Sequence, residues 1–171
     1  AVLGGLAEHI LSLLRLAELV CQHYAFLDSD LVYTGLLLHD IGKTRELSVR
    51  TQIEFTPEGR LLGHLFLGAM EAAAVMASIP DFPEELRLQI LHIILSHHGS
   101  YEFGSPVLPM TMEALTVHML DDLDAKLWVI RDLIEKTPPE NLPFTEFHKL
   151  LERPFYFQRR LEENETSTEP G

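Results

Sequence analysis

The sequence predicts an all-α fold: a bundle of five or more core helices with little or no sheet. Two observations carry that prediction. Almost every segment between the Pro and Gly breakers repeats its apolar residues every three or four positions, the spacing of a helix that buries one face. The composition, 46% hydrophobic and 23% charged over 171 residues, is that of a folded domain large enough to bury a core without disulfides.

The elements follow in order. Leu6, Ile10, Leu13, Leu14, Ala17, Val20 and Tyr24 form one stripe, which predicts a first helix. Asp28-Ser29-Asp30 supplies a cap for a second helix over 31–40, apolar enough to be central, and Gly42 stands where a left-handed cap would close it. Residues 42–58 mix charge, Thr and short apolar pieces, a connector with room for a small hairpin. Thr56-Pro57-Glu58 places a side-chain oxygen before Pro at a first helical position and predicts a helix over 59–79. Another runs over 85–97 and stops at Gly99; 99–109 carries two Gly and two Pro and is a loop. A long amphipathic helix over 111–136 is halted by Pro138-Pro139. Beyond it, 144–151 reads as a short helix, 153–157 as an aromatic docking segment, and 158–171 as an acidic, disordered tail.

Charge and cysteine content narrow the setting. With 13 Lys and Arg against 26 Asp and Glu, the formal charge is −13, which argues against an autonomous, electrostatically driven nucleic-acid binder. A single Cys21 allows no internal disulfide and suits a reducing cytoplasm. No uninterrupted apolar run reaches the ~18 residues of a spanning helix, and no signal-peptide pattern opens the chain, so no membrane partner is expected.

The chemistry concentrates in the histidines. His39-Asp40 closes the apolar run Leu36-Leu37-Leu38, where neighbouring side chains about 100° apart converge beside the helix end. His9 lies on or near the buried stripe of the first helix, His64 early in the helix after Pro57, and His97-His98 in a last helical turn. Asp121 falls on an apolar face with Ala114, Val117 and Trp128, where a carboxylate needs a compensating partner. Four histidines, a His-Asp pair and an inward Asp on five helices suit first-row divalent cations.

The order His9, His39-Asp40 within HDIGK, and Asp121 within DDLDA resembles the HD-domain metal-dependent phosphohydrolases. Gly63-His64 and His97-His98-Gly99 resemble members that hold two or more metals. More narrowly, GGLAEH, LLHDIGK, TPEGRLLGH, SHHGSYEFGSPVLP and the closing ERPFYF resemble the HD domain of YhaM-type 3′-to-5′ exoribonucleases, with the likeness running over about residues 4–157. The resemblance implies an HD domain over 1–157, followed by the tail. It also implies an OB-type nucleic-acid-binding domain ahead of the HD domain in the full-length protein, so this chain reads as a piece of a longer one.

By the same resemblance, His9, His39, Asp40 and Asp121 hold one metal, and Asp40, His64, His97 and His98 hold a second, with Asp40 bridging. Mn²⁺ is the expected ion; Fe, Co, Ni or Zn also suit this ligand set. Two divalent cations against two ligand carboxylates leave about +2 to attract a phosphodiester. Lys43 is the candidate to neutralise a phosphate oxygen, Arg60 a weaker one, and Tyr101 and Phe103 are candidates to stack on nucleobases. The expected reaction is 3′-to-5′ exonucleolytic hydrolysis of single-stranded RNA or DNA by metal-bound hydroxide, without a covalent intermediate. A phosphohydrolase acting on nucleotides or cyclic dinucleotides is the alternative enzyme, and a non-catalytic HD sensing or interaction module the alternative outside enzymes. Oligomer formation stays open.

Overall fold

The computed structural model describes residues 4–49, 52–141 and 143–157, so the predicted tail at 158–171 lies outside the described residues. Among the described residues six α-helices and one hairpin follow one another: α1 (Gly5–His23), α2 (Ser29–Leu38), α3 (Lys43–Glu46), β1 (Leu47–Val49), β2 (Ile53–Phe55), α4 (Pro57–Ala77), α5 (Glu84–Ser96) and α6 (Met112–Lys136). The architecture is helical, and β1 and β2 pair antiparallel with Leu47 opposite Phe55 and Val49 opposite Ile53. Contacts divide the chain into two compact units, with the boundary between Asp124 and Ala125.

In the first unit the predicted stripes become the core. Leu13 and Ala17 of α1 join Leu31, Val32 and Leu36 of α2, Ala69, Ala72 and Met76 of α4, Ile90, Ile93 and Ile94 of α5, and Ala114, Val117 and Leu120 of α6. Asp28 caps α2 by accepting the Leu31 N–H at 3.0 Å, and Thr56 caps α4 by accepting the Gly59 N–H at 2.8 Å. By length and composition α4 is long and apolar enough to cross a membrane, although its apolar residues are interrupted by polar ones. In the fold it packs against α3 and α5 and contributes to the core.

Two glycines depart from expectation. Gly42 is right-handed, with φ −60° and ψ −19°, and does not supply a left-handed cap. Its lack of a side chain serves close approach: a Cβ there would lie 2.0 Å from the His64 carbonyl oxygen and 2.6 Å from the Gly68 nitrogen. Gly63 breaks α4, with φ 71° and ψ 156°, where an unbroken helix was predicted. The break frees the His64 N–H from the helical ladder, and the Glu46 carboxylate takes it at 3.0 Å.

In the second unit, residues 144–151 form no helix. Phe144 bridges to Tyr156 and His148 to Arg153, both antiparallel. Thr145 exchanges two bonds with Phe155, its N–H donating to the carbonyl and its Oγ1 accepting the amide, both at 2.9 Å. Pairing with the 153–157 segment thus satisfies backbone groups that a short helix would leave at its ends.

Candidate metal centre

All seven residues singled out by the histidine pattern lie in one connected cluster. Three sets bring their donor atoms within 4.8 Å of one another: His9, His39 and Asp121; His39, Asp40 and His97; and His64, His97 and His98. Asp40 stands between them. Its Oδ2 is 3.4 Å from His39 Nε2, and its Oδ1 is 3.5 Å from His64 Nε2 and 3.6 Å from His97 Nε2. His9 Nε2 meets Asp121 Oδ1 at 2.9 Å, and His39 Nε2 is 3.8 Å from the same oxygen.

The outer nitrogens explain how the rings are aimed. His39 Nδ1 donates to the Leu36 carbonyl (2.8 Å), His97 Nδ1 to Ile94 (2.9 Å) and His98 Nδ1 to Phe103 (2.7 Å). His9 Nδ1 donates to Asp124 (2.7 Å) and His64 Nδ1 to Glu46 (3.1 Å). Every ring therefore spends its Nδ1–H on an outer oxygen and turns its Nε2 toward the cluster, the arrangement that fixes the tautomer of a metal-binding imidazole.

A neutral ring of this tautomer offers only a lone pair at Nε2. Lone pairs then face one another and face carboxylate oxygens: His64 Nε2 and His98 Nε2 approach to 3.2 Å. The buried His39 Nε2 and Asp40 Oδ1 have no hydrogen-bond partner. Only protons or cations relieve such a convergence of acceptors. Imidazole nitrogens with carboxylate oxygens form a donor set that fits a first-row divalent metal.

The electrostatics follow the same geometry. Burial pushes the Asp40 carboxyl up, but His39, His97 and the Lys43 ammonium outweigh it and hold Asp40 well below the usual carboxylate range. Burial likewise opposes ionisation of Asp121, and the His9 hydrogen bond prevails, again lowering it. The hydrogen bond to Asp121, against burial and with help from Asp124, raises His9. Burial, then the neighbouring His97, lowers His98.

Two carboxylates bonded to the cluster escaped the sequence reading. Asp124 is 5% exposed and accepts both His9 Nδ1–H and the Ser12 hydroxyl (2.6 Å); Glu46 is 8% exposed. Asp124 sits one turn after Asp121 on the same face, a spacing that offered a signal; Glu46 offered none, because its partner is distant in sequence. Among the other histidines, His118 Nδ1 donates to the His97 carbonyl at 2.8 Å, and His92 Nε2 accepts the Met110 N–H at 2.8 Å.

The predicted substrate residues are spread more widely. Lys43 Nζ lies 2.5 Å from Asp40 Oδ2, at the centre itself. Tyr101 and Phe103 are 66% and 59% exposed on the 3₁₀ turn Tyr101–Phe103, whose Phe103 carbonyl anchors His98. Arg60 lies beside the hairpin, its guanidinium 6.0 Å from the centre of the Phe55 ring. With Gln52, Ile53, Glu54, Phe55 and Pro57 it lines an open cavity of about 650 Å³.

The model of the HD domain matches residues 6–126, a span that contains every residue of the cluster. The chain belongs to the HD-domain family. Its HD domain is similar to proteins named 3′-5′ exoribonuclease YhaM. It is 41% identical to that of Shouchella clausii over 137 residues, covering 80% of this chain and 43% of the relative. It is 42% identical to that of Bacillus subtilis over 136 residues, with the same coverage of 80% and 43%. It is 37% identical to that of Oceanobacillus iheyensis over 162 residues, covering 95% of this chain and 50% of the relative. The chain thus spans half or less of the length of these curated relatives. No solved structure matches it.

Proposed function

We propose that this chain is the hydrolytic domain of a divalent-metal-dependent 3′-to-5′ exonuclease acting on single-stranded RNA. The observation that carries the reading is the set of five imidazoles, each with its Nδ1–H fixed outside and its Nε2 turned onto Asp40, Asp121 or another ring. Similarity to exoribonucleases supports the substrate.

His9, His39, Asp121 and Asp40 Oδ2 would hold one ion, and His64, His97, His98 and Asp40 Oδ1 the other, with Mn²⁺ as the expected metal. Such a pair, when bound, clamps a scissile phosphate and makes water a nucleophile at neutral pH. The chain's own residues do the rest. Asp124 and Glu46 orient His9 and His64 and bring two further carboxylates close, so the +2 surplus expected from Asp40 and Asp121 alone is reduced. Lys43 becomes the local cation facing the phosphate, able to exchange its Asp40 contact for a non-bridging oxygen. Tyr101 and Phe103 present exposed rings next to His98, where stacking accepts any base.

Among the described residues, Ser12, Ser96 and Cys21 do not compete for this role. The Ser12 hydroxyl donates to Asp124 and the Ser96 hydroxyl to the His92 carbonyl, so neither donates to a histidine of the cluster. Burial pushes the Cys21 thiol up, away from the reactive thiolate. With a charge of −13, much of the grip on RNA would come from outside this domain, which fits an OB-type module, and the single Cys21 fits a cytoplasmic setting.

Incubation with a 3′-labelled single-stranded RNA, with and without Mn²⁺, tests the reading. Metal-dependent release of labelled mononucleotide is expected. Intact RNA alongside hydrolysed nucleotides or cyclic dinucleotides would replace it with the small-molecule alternative.

A further inference from the structure

Glu46 ties the hairpin to the His64 side of the centre. It is the last residue of α3, nearly buried, and its Oε1 accepts both the N–H of His64 at 3.0 Å and its Nδ1–H at 3.1 Å. Its carbonyl accepts the Thr56 N–H at 2.9 Å, and Gly59 packs so closely that a Cβ there would lie 2.3 Å from that oxygen. The hairpin leaves from Glu46 and returns at Thr56, so the base of the hairpin, the start of α4 and the ring of His64 form one hydrogen-bonded unit.

The two halves of the centre differ in charge. On one side Asp121 stands among the donors with His9 and His39; on the other His64, His97 and His98 have no carboxylate except the shared Asp40. We propose that Glu46 is a positioning residue that fastens the cation of the His64, His97 and His98 side selectively. It supplies through one ring the negative charge which that side lacks among its own donors. The inference rests on the reading that the cluster binds two divalent cations. Asp124 makes the equivalent bond to His9, but there Asp121 already provides the charge.

Titration of the metal-depleted full chain with Mn²⁺ against a chromogenic chelator, with elemental analysis of the loaded protein, tests this. Glu46→Gln keeps an Oε1 able to accept both His64 bonds and removes only the charge, so folding is preserved where Glu46→Ala could disturb it. The wild-type chain should take two equivalents, and E46Q should weaken one of them about 10–100-fold while leaving the other unchanged. In a His98→Ala background, which removes a ligand of that side, E46Q should leave the remaining equivalent untouched. Two wild-type affinities in E46Q, or equal weakening of both, would overturn the selective role. A wild-type chain that takes up no Mn²⁺ would instead overturn the proposed function on which the inference rests.

Discussion

Asp40 shows how much one side chain organises. Its two oxygens divide between the two halves of the cluster, so Asp40→Asn removes a shared charge from both. Activity on labelled RNA should fall by more than the ~10–100-fold that loss of an outer partner costs, and metal content should fall with it. His9 makes the metal-free protein pH-sensitive in a definite direction. Its folded pKa is raised, chiefly by Asp121, so above about pH 6.5 the folded state holds a proton that the unfolded chain has released. The stabilisation is complete below that pH and is lost as pH rises through the folded pKa. Melting temperatures of chelator-treated protein should therefore decline as pH rises above about 6.5, while Mn²⁺-loaded protein, in which metal replaces the proton, should not follow. His9 was legible from its place on the α1 stripe, but its second carboxylate, Asp124, was not.

Helices announce themselves by period, and the junctions between them do not. The stripes on α1, α2, α4, α5 and α6 were readable because each needs only local spacing. Gly42 and Gly99 depend on what lies across from them, and Gly63 on a positive φ that breaks the helix. Gly99 has φ +75°, and a Cβ there would fall 2.0 Å from the His118 ring, which holds the His97 carbonyl. Gly99→Ala should lower stability by about 1–3 kcal/mol in thermal or urea unfolding and weaken Mn²⁺ binding through displacement of His97 and His98. Thr56→Ala, which deletes the α4 cap, should cost about 1 kcal/mol by the same measurement. The 144–151 segment misled because its apolar residues suit a short helix, whereas pairing with 153–157 settles its conformation.

At the scale of the molecule, buried acidic and imidazole groups gather where a core would otherwise be apolar. Asp40, His39 and His97 are almost fully buried, and Glu46 and Asp124 nearly so. Such a cluster is stable when its acceptors are bridged, which makes bound metal part of the folding free energy. Saturating Mn²⁺ at about 100 times its dissociation constant should add ~2.7 kcal/mol for each ion bound, and EDTA should reverse it, as seen in the shift of the thermal midpoint.

The amino-acid order already determined the helical class, the core stripes and the seven residues that converge, because periodicity and motif spacing are written locally. Folding alone decided which oxygen holds each imidazole, where α4 breaks, and that Asp124 and Glu46 stand behind His9 and His64. Those outcomes depend on distances between residues far apart along the chain, such as the 115 positions separating His9 from Asp124. A linear pattern does not encode such distances, whereas the packing of α1, α3, α4 and α6 does.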